Sequence, residues 1–221
     1  MAAIPLRRDE IHYPESDGKP MGETGIHVEE TMYLIEALKD RLREVPDAYV
    51  GGDMFLYYVQ GQPRYVVCPD VFVALGVSSG QRRIYKLWEE GCPPALIIEV
   101  TSAETRNEDL DRKKELYERL GVQEYLLYDP LGEYLKPPLR GFQSINGKYE
   151  PLAPGMDGSL KSPLLGLTFR LEGSRIRLLD TATGEPILRN DEVRELARRA
   201  EAAEEKATRL QAELERLRRQ G

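Results

Sequence analysis

The most regular hydrophobic pattern lies at the C-terminus, where apolar residues recur at alternating spacings of three and four and the intervening positions are mostly Glu and Arg. The series is Val193, Leu196, Ala200, Ala203, Ala207, Leu210, Leu214 and Leu217. Such spacing is the heptad seam of a coiled coil. We therefore predict a C-terminal coiled-coil helix over 191–221 that contributes to a homodimer. The pattern leaves open a single surface helix folded back on the preceding domain.

A second helical pattern runs from Thr24, an expected N-cap, to Val45, just before Pro46. The apolar stripe that we expect to face the core consists of Val28, Met32, Ile35, Leu38 and Leu42. Glu29 and Glu30 lie off this stripe, so they are not assigned to a site.

Strand patterns follow. Residues 49–60 and 64–75 are two β-rich runs joined by the turn residues 61–63, which predicts a hairpin. The apolar run 95–101 suits a buried central strand. A capping box at Thr105-Arg106-Asn107-Glu108 begins a helix that ends at Gly121, and residues 124–128 form another strand. The predicted order is helix, three strands, helix, strand, with accessory strands and loops over 131–190.

Length and composition set the class of protein. A chain of 221 residues suggests one globular domain with an appendage. We divide it into an N-terminal arm (1–20), a domain (21–190, with its core over 24–130) and the helical tail. No apolar run approaches the ~20 residues that span a bilayer, and the N-terminus lacks the apolar core of a signal peptide. Two cysteines and two histidines argue against a disulfide framework and a zinc site and fit the cytoplasm.

Two carboxylates occur on predicted strands, where burial is costly. Asp70 precedes the run Val71-Phe72-Val73, and Glu99 lies inside residues 96–100. Such groups need a compensating cation or hydrogen-bond donor. If the strands are neighbours, the two carboxylates can converge on Mg²⁺, which prefers oxygen ligands. The alternative for either residue alone is a carboxylate satisfied by backbone amides.

A lysine joins them through helical phase. On the helix 105–120, Lys113 falls near the centre of the apolar stripe, whereas Lys114 lies about a quarter-turn away. A lysine on an apolar face is costly unless it meets an anion, and Asp70 and Glu99 are the candidates. A lysine at the rim of the stripe, with its ammonium group in solvent, is the alternative.

These residues resemble the PD-(D/E)XK nuclease superfamily, and within it the Uma-two group of restriction endonucleases, over about residues 20–135. The residues that carry the resemblance are Pro69-Asp70-Val71, Ile98-Glu99-Val100-Thr101-Ser102, Thr105, Asp109, Lys113, Tyr117, Gly121-Val122, Glu124-Tyr125 and Asp129-Pro130. The resemblance implies an α/β fold with an α-β-β-β-α-β core around a mixed sheet. One departure matters: the superfamily lysine, two residues after the glutamate, is here Thr101.

By this resemblance, Asp70, Glu99 and the carbonyl of Val100 hold Mg²⁺, for which Mn²⁺ could substitute, and DNA is the substrate. Lys113, with Lys114 as the fallback, supplies the catalytic lysine from the following helix. We expect possible supporting roles for His27 (a phosphate contact or a proton transfer), Tyr117, Thr101 and Ser102; each has an ordinary structural alternative. The competing function is a non-catalytic dimeric scaffold or regulatory module, which the net charge of -7 and the long tail suit.

Overall fold

The computed structural model describes residues 11–16, 24–102, 105 and 108–220. Most of the predicted N-terminal arm, and Arg106 and Asn107 of the predicted capping box, lie outside these residues. The elements, in chain order, are α1 (Gly25–Arg41), β1 (Ala48–Gly51), β2 (Leu56–Tyr57), β3 (Val66–Val67), β4 (Val71–Leu75), β5 (Tyr85–Lys86), α2 (Leu87–Glu90), β6 (Leu96–Val100), a π-helical segment (Glu108–Lys113), α3 (Lys114–Leu120), β7 (Glu124–Tyr128), β8 (Leu139–Ile145), β9 (Lys148–Pro151), β10 (Leu160–Ser162), β11 (Leu167–Glu172), β12 (Arg175–Asp180) and α4 (Asn190–Arg218).

A mixed six-stranded sheet in the order β1-β4-β6-β7-β8-β9 forms the centre of the fold. β6 and β7 are parallel, and the other neighbours are antiparallel. Both β6 and β7 are buried along their whole length, as expected for strands covered on both faces. α1 packs against β1, β4 and β6, and the cluster that contains Leu116 and Tyr117 of α3 includes Phe72, Ile97 and Tyr125 of the sheet.

The predicted hairpin is only partly right, because each of its two runs is broken into two strands. β2 and β3 form a short antiparallel pair around the turn, whereas β1 and β4 pair in the main sheet, with Ala48 opposite Leu75. The first run breaks at Asp53, which has a φ of 47° and donates its backbone N–H to the carbonyls of Pro69 and Asp70. This break brings the ends of β1 and β4 together next to Asp70.

The predicted core-facing stripe of α1 is wrong at its first two positions, although Leu38 further along is fully buried as expected. Val28 and Met32 are 45% and 57% exposed, whereas Glu30 is fully buried. The Glu30 carboxylate accepts hydrogen bonds from the Tyr128 hydroxyl and the backbone N–H of Ile176, so distant elements satisfy a charge that the hydrophobic pattern assigns to solvent. The N-cap prediction is confirmed, since the Thr24 side chain accepts from the N–H of His27; the helix ends at Arg41, before the predicted end.

The helix predicted from Thr105 also differs. It begins as the π-helical segment Glu108–Lys113 and becomes α-helical only from Lys114. Its end is confirmed at Gly121, whose φ of 86° is the left-handed conformation typical of a glycine C-cap. A π-helical turn is wider than an α-helical one, and such turns are frequent at functional sites.

Residues 131–190 contain the accessory strands that the sequence predicts. β8 and β9 extend the main sheet, and β10-β11-β12 form a separate antiparallel sheet; β2, β3 and β5 form a third small sheet. The side chain of Glu124 links the main sheet to residues around β10, since it accepts from the N–H of Leu164 at 3.0 Å and from the Ser162 hydroxyl.

The chain divides into two compact units, one up to Pro186 and one from Ile187. The second unit contains α4, a 29-residue helix with no buried residue. Among the described residues, no helix combines the length and apolar character needed to cross a membrane. The 29-residue helix α4 confirms that the tail is helical, and its pairing into a coiled coil stays a prediction.

Candidate active site

Asp70 directly precedes β4, and Glu99 lies on the adjacent strand β6. β4 and β6 pair with Val71 opposite Ile98, which places Asp70 beside the end of β6. The Asp70 Oδ2 atom accepts a 2.6 Å hydrogen bond from the N–H of Val100, and the Asp70 N–H lies 3.4 Å from Oε2 of Glu99. The Glu99 side chain is fully buried, while that of Asp70 is 16% exposed. One carboxylate is therefore reachable from solvent and the other forms the floor of the site.

From the π-helical segment, Lys113 reaches Glu99 Oε2, the atom that the Asp70 N–H also approaches. Its Nζ lies 3.0 Å from Glu99 Oε2 and 2.9 Å from Asp109 Oδ1. Lys114, by contrast, places its Nζ 4.4 Å from the centre of the Phe142 ring. The structure thus brings Lys113 to the carboxylates and directs Lys114 elsewhere.

Asp109 is a site residue to which the sequence analysis gave no role beyond its place in the family pattern. Its side chain is 1% exposed and pairs with Lys113 four positions later. Burial raises the pKa of Asp109, against the effects of Lys113 and Thr105, which lower it. The signal that could have identified Asp109 is its spacing of four from an inward lysine.

Asp53, which the sequence analysis also missed, follows Gly51 and Gly52 at the break after β1. Burial and the charge of Asp70 raise its pKa, and His27 lowers it. A carbon added at Gly52 would lie 2.6 Å from the carbonyl oxygen of Asp70, so only glycine allows this close approach. A Gly-Gly-Asp sequence at a strand end is the signal that was available.

His27 is buried on α1, with Nε2 3.4 Å from Asp70 Oδ2. Burial lowers its pKa, but the hydrogen bond and the charge of Asp70, with smaller contributions from Asp53 and the main chain of Val100, outweigh burial, so the net pKa is raised. The predicted supporting residue therefore contacts Asp70, one of the three groups expected to hold a metal.

The remaining predicted residues divide into two cases. The Tyr117 hydroxyl donates a 2.7 Å hydrogen bond to Glu99 Oε1 and is buried. Ser102 instead contacts Thr105, whose Oγ1 accepts from the Ser102 N–H at 3.2 Å. Within the part of the chain that the structure describes, the buried Thr101 hydroxyl has no hydrogen-bond partner, while its N–H bonds to the Tyr128 carbonyl. The structure brings Tyr117 to Glu99 and does not bring Thr101 or Ser102 there.

The site holds more carboxyl groups than basic groups. Burial raises the pKa of Glu99; Lys113 opposes this, the charges of Asp70 and Asp109 add to it, and Tyr117 opposes it, with a net increase. Burial lowers the pKa of Lys113, but the same three carboxylates outweigh burial and raise it, so Lys113 stays an ammonium ion. Two groups that can be cationic thus face four carboxyl groups: Lys113 and His27 against Asp53, Asp70, Glu99 and Asp109.

This donor set suits a divalent metal of the magnesium type. Mg²⁺ binds through one or two carboxylates and keeps several waters, and Asp70 and Glu99 provide carboxylate oxygens next to each other and to the main chain of Val100. A ready-made group of three or more His, Cys, Asp or Glu side chains around a metal position is not present among the described residues. The fit therefore rests on two carboxylates and a carbonyl.

Comparison with known proteins relates the chain to a family and to a solved structure. A family model named Uma2 and described as "Putative restriction endonuclease" matches residues 2–172, a range that contains every site residue above. The chain is also similar to a crystal structure from Anabaena variabilis described as a "putative nuclease belonging to DUF820", with 15% identity and a TM-score of 0.48, over 66% of this chain and 76% of that one. No curated protein matches the chain.

Proposed function

We propose, given that this chain belongs to the Uma2 family, that it is a Mg²⁺-dependent endonuclease that hydrolyses phosphodiester bonds in DNA. The observation that carries the proposal is the convergence of Lys113 Nζ and the Asp70 N–H on one oxygen of the buried Glu99. Buried charges of this kind are costly to fold. A site for a phosphate ester and its metal gives them a use.

Asp70, Glu99 and the main-chain carbonyl of Val100 would hold Mg²⁺, with Mn²⁺ as a substitute. A bound Mg²⁺ supplies a more acidic water and polarises the phosphoryl group. The carboxylates are fixed in advance by their neighbours: Val100 N–H holds Asp70 Oδ2, and the Tyr117 hydroxyl holds Glu99 Oε1. Such supporting hydrogen bonds keep ligands in a productive geometry.

Lys113 acts as a cation in this proposal. Because its neighbouring carboxylates raise its pKa, it is a poor general base. Its ammonium group can orient the attacking water and stabilise negative charge that develops on the phosphoryl oxygens. Asp109 positions the ammonium group through the 2.9 Å contact to Oδ1. His27 contacts Asp70 through Nε2, which lies 3.4 Å from the Oδ2 atom.

The enzyme would work as a homodimer to which the exposed helix α4 contributes. The described cysteines, Cys68 and Cys92, are free thiols, as expected for the cytoplasmic protein that we propose.

A non-catalytic scaffold on the same fold is the second candidate, favoured by the exposed α4 and the net charge of -7. A scaffold function does not explain why Lys113 is buried beside the carboxylates of Glu99 and Asp109. Calorimetric titration separates the two candidates, since a scaffold without a site gives no Mg²⁺ binding heat that Glu99→Gln removes.

The direct test is cleavage of supercoiled plasmid DNA with Mg²⁺ or Mn²⁺ by the full chain and by Asp70→Asn. Asp111→Asn is the matched control, because Asp111 is an exposed carboxylate on the π-helical segment. We expect nicked or linear DNA with wild type and control and none with Asp70→Asn. Equal cleavage by all three, or by none, would overturn the proposal.

A further inference from the structure

The helix α4 presents an apolar stripe that is exposed among the residues that the structure describes. Its large apolar side chains are about half exposed or more: Val193 49%, Leu196 50%, Leu210 51%, Leu214 55% and Leu217 60%. Helices in proteins gain most of their stability by packing an apolar face. A 29-residue helix with no buried residue therefore has a surface suited to a partner.

We propose that α4 pairs with α4 of a second copy as a parallel, in-register, two-stranded coiled coil. The spacing assigns Val193, Ala200, Ala207 and Leu214 to position a of the heptad and Leu196, Ala203, Leu210 and Leu217 to position d. A second copy is the partner that supplies the same spacing over the same length. The homodimer is expected from the pattern alone; the orientation comes from the flanking charges.

In a parallel coiled coil, each residue at position g faces the e residue five positions later on the other chain. Arg199 then faces Glu204 of the partner subunit, and Glu213 faces Arg218 of the partner subunit. Symmetry produces each ion pair twice. The other two contacts, Glu192 with Ala197 and Lys206 with Gln211 of the partner subunit, are neutral, so no like charges meet.

The antiparallel arrangement is worse for the same residues. When two antiparallel helices overlap over their full length, position a of one chain packs against position d of the other. Residues at position g then face position g of the partner, and residues at position e face position e. Glu204 then faces Glu204 of the partner subunit, and Lys206 faces Lys206 of the partner subunit. Only Arg199 with Glu213 of the partner subunit is attractive. Like charges directly opposite each other destabilise a coiled coil and select against that orientation.

Ala200, Ala203 and Ala207 form the middle of the seam and bury less apolar surface than leucines would. The flanking charges therefore have a large share in choosing the orientation. A parallel arrangement starts both helices at the same end, so the two chains enter the coiled coil side by side. This conclusion does not depend on the nuclease proposal.

Cysteine cross-linking tests the orientation in the full chain. Leu196→Cys and Leu214→Cys are prepared separately, and one carries a tag that changes its mass. A parallel dimer oxidises to a disulfide-linked dimer with either variant alone. An antiparallel dimer gives the mixed disulfide between the two variants and none with either alone, which would overturn the proposal. Wild type controls for Cys68 and Cys92.

The mass in solution tests the pairing itself, by sedimentation equilibrium. We expect a dimer for wild type and for Thr208→Lys, which places the new charge at the solvent-facing position b. Leu210→Lys places it in the seam and should give a monomer. A monomeric wild type, or an unchanged dimer in Leu210→Lys, would overturn the proposal whatever the outcome of the cleavage assay.

Discussion

The Nζ atom of Lys113 lies 3.0 Å from Oε2 of Glu99, although the two residues come from different layers of the fold, a π-helical segment and the central strand β6. Glu99 is fully buried and the Lys113 side chain is 10% exposed. The contact therefore combines a large desolvation cost with a close opposite charge, and it fixes the position of a cation at the floor of the proposed site.

The two adjacent lysines should differ sharply in activity. Lys113→Met removes the cation beside Glu99, whereas Lys114→Met removes a cation that lies over the Phe142 ring. We expect kcat for plasmid cleavage to fall on the order of 100-fold or more in the first variant, as for other lost transition-state contacts. Lys114→Met should stay within a few-fold of wild type. Equal losses would remove Lys113 from the mechanism.

Asp109 should act through Lys113. Asp109→Asn keeps the shape of the side chain but weakens the hold on Nζ at 2.9 Å. We expect kcat to fall about 10- to 100-fold, the range seen for residues that orient groups at metal sites. The Mg²⁺ concentration for half-maximal activity should change little, because Asp109 is not among the proposed metal ligands. A large change in that concentration would make Asp109 a ligand instead.

Strand context and the family resemblance predicted that Asp70 and Glu99 lie close together, and helical phase predicted that Lys113 reaches a carboxylate, as it does at Glu99. The hydrophobic pattern failed for the first turns of α1, because it counts apolar side chains and Glu30 is buried through hydrogen bonds from Tyr128 and Ile176. Partners so far away in the chain leave no local signal. The position of Asp53 also depends on distant groups, the carbonyls of Pro69 and Asp70, although the preceding Gly51 and Gly52 gave a local signal.

Gly52 should prove essential to the position of Asp70. An added methyl group would lie 2.4 Å from Ile35 Cδ1 and 2.6 Å from the Asp70 carbonyl oxygen. Because the second contact is with backbone, Gly52→Ala should displace Asp70, lower the cleavage rate and cost about 1–3 kcal/mol of unfolding free energy. Gly25→Ala is the control, since nothing lies within 4 Å of its added carbon. Urea denaturation and cleavage assays measure both effects, and a fully active Gly52→Ala would contradict this reasoning.

Two neighbouring glutamates of α1 test how the small sheet β10-β11-β12 is attached to the six-stranded sheet. Glu30 is fully buried and accepts from the Tyr128 hydroxyl of β7 at 3.1 Å and from the Ile176 N–H of β12 at 2.8 Å. Glu29, one position earlier, makes a 2.7 Å ion pair with Arg175 in which both side chains are about half exposed.

Glu30→Ala leaves the buried Ile176 N–H without this acceptor, which costs about 1–3 kcal/mol. The Tyr128 hydroxyl can still donate to the Ser174 carbonyl. Together with the cavity, we expect a loss of about 3 kcal/mol or more in the free energy of unfolding measured in urea. Glu29→Ala removes only an exposed ion pair, which contributes about 0–1 kcal/mol. Losses of similar size in the two variants would show that the buried carboxylate does not hold α1, β7 and β12 together.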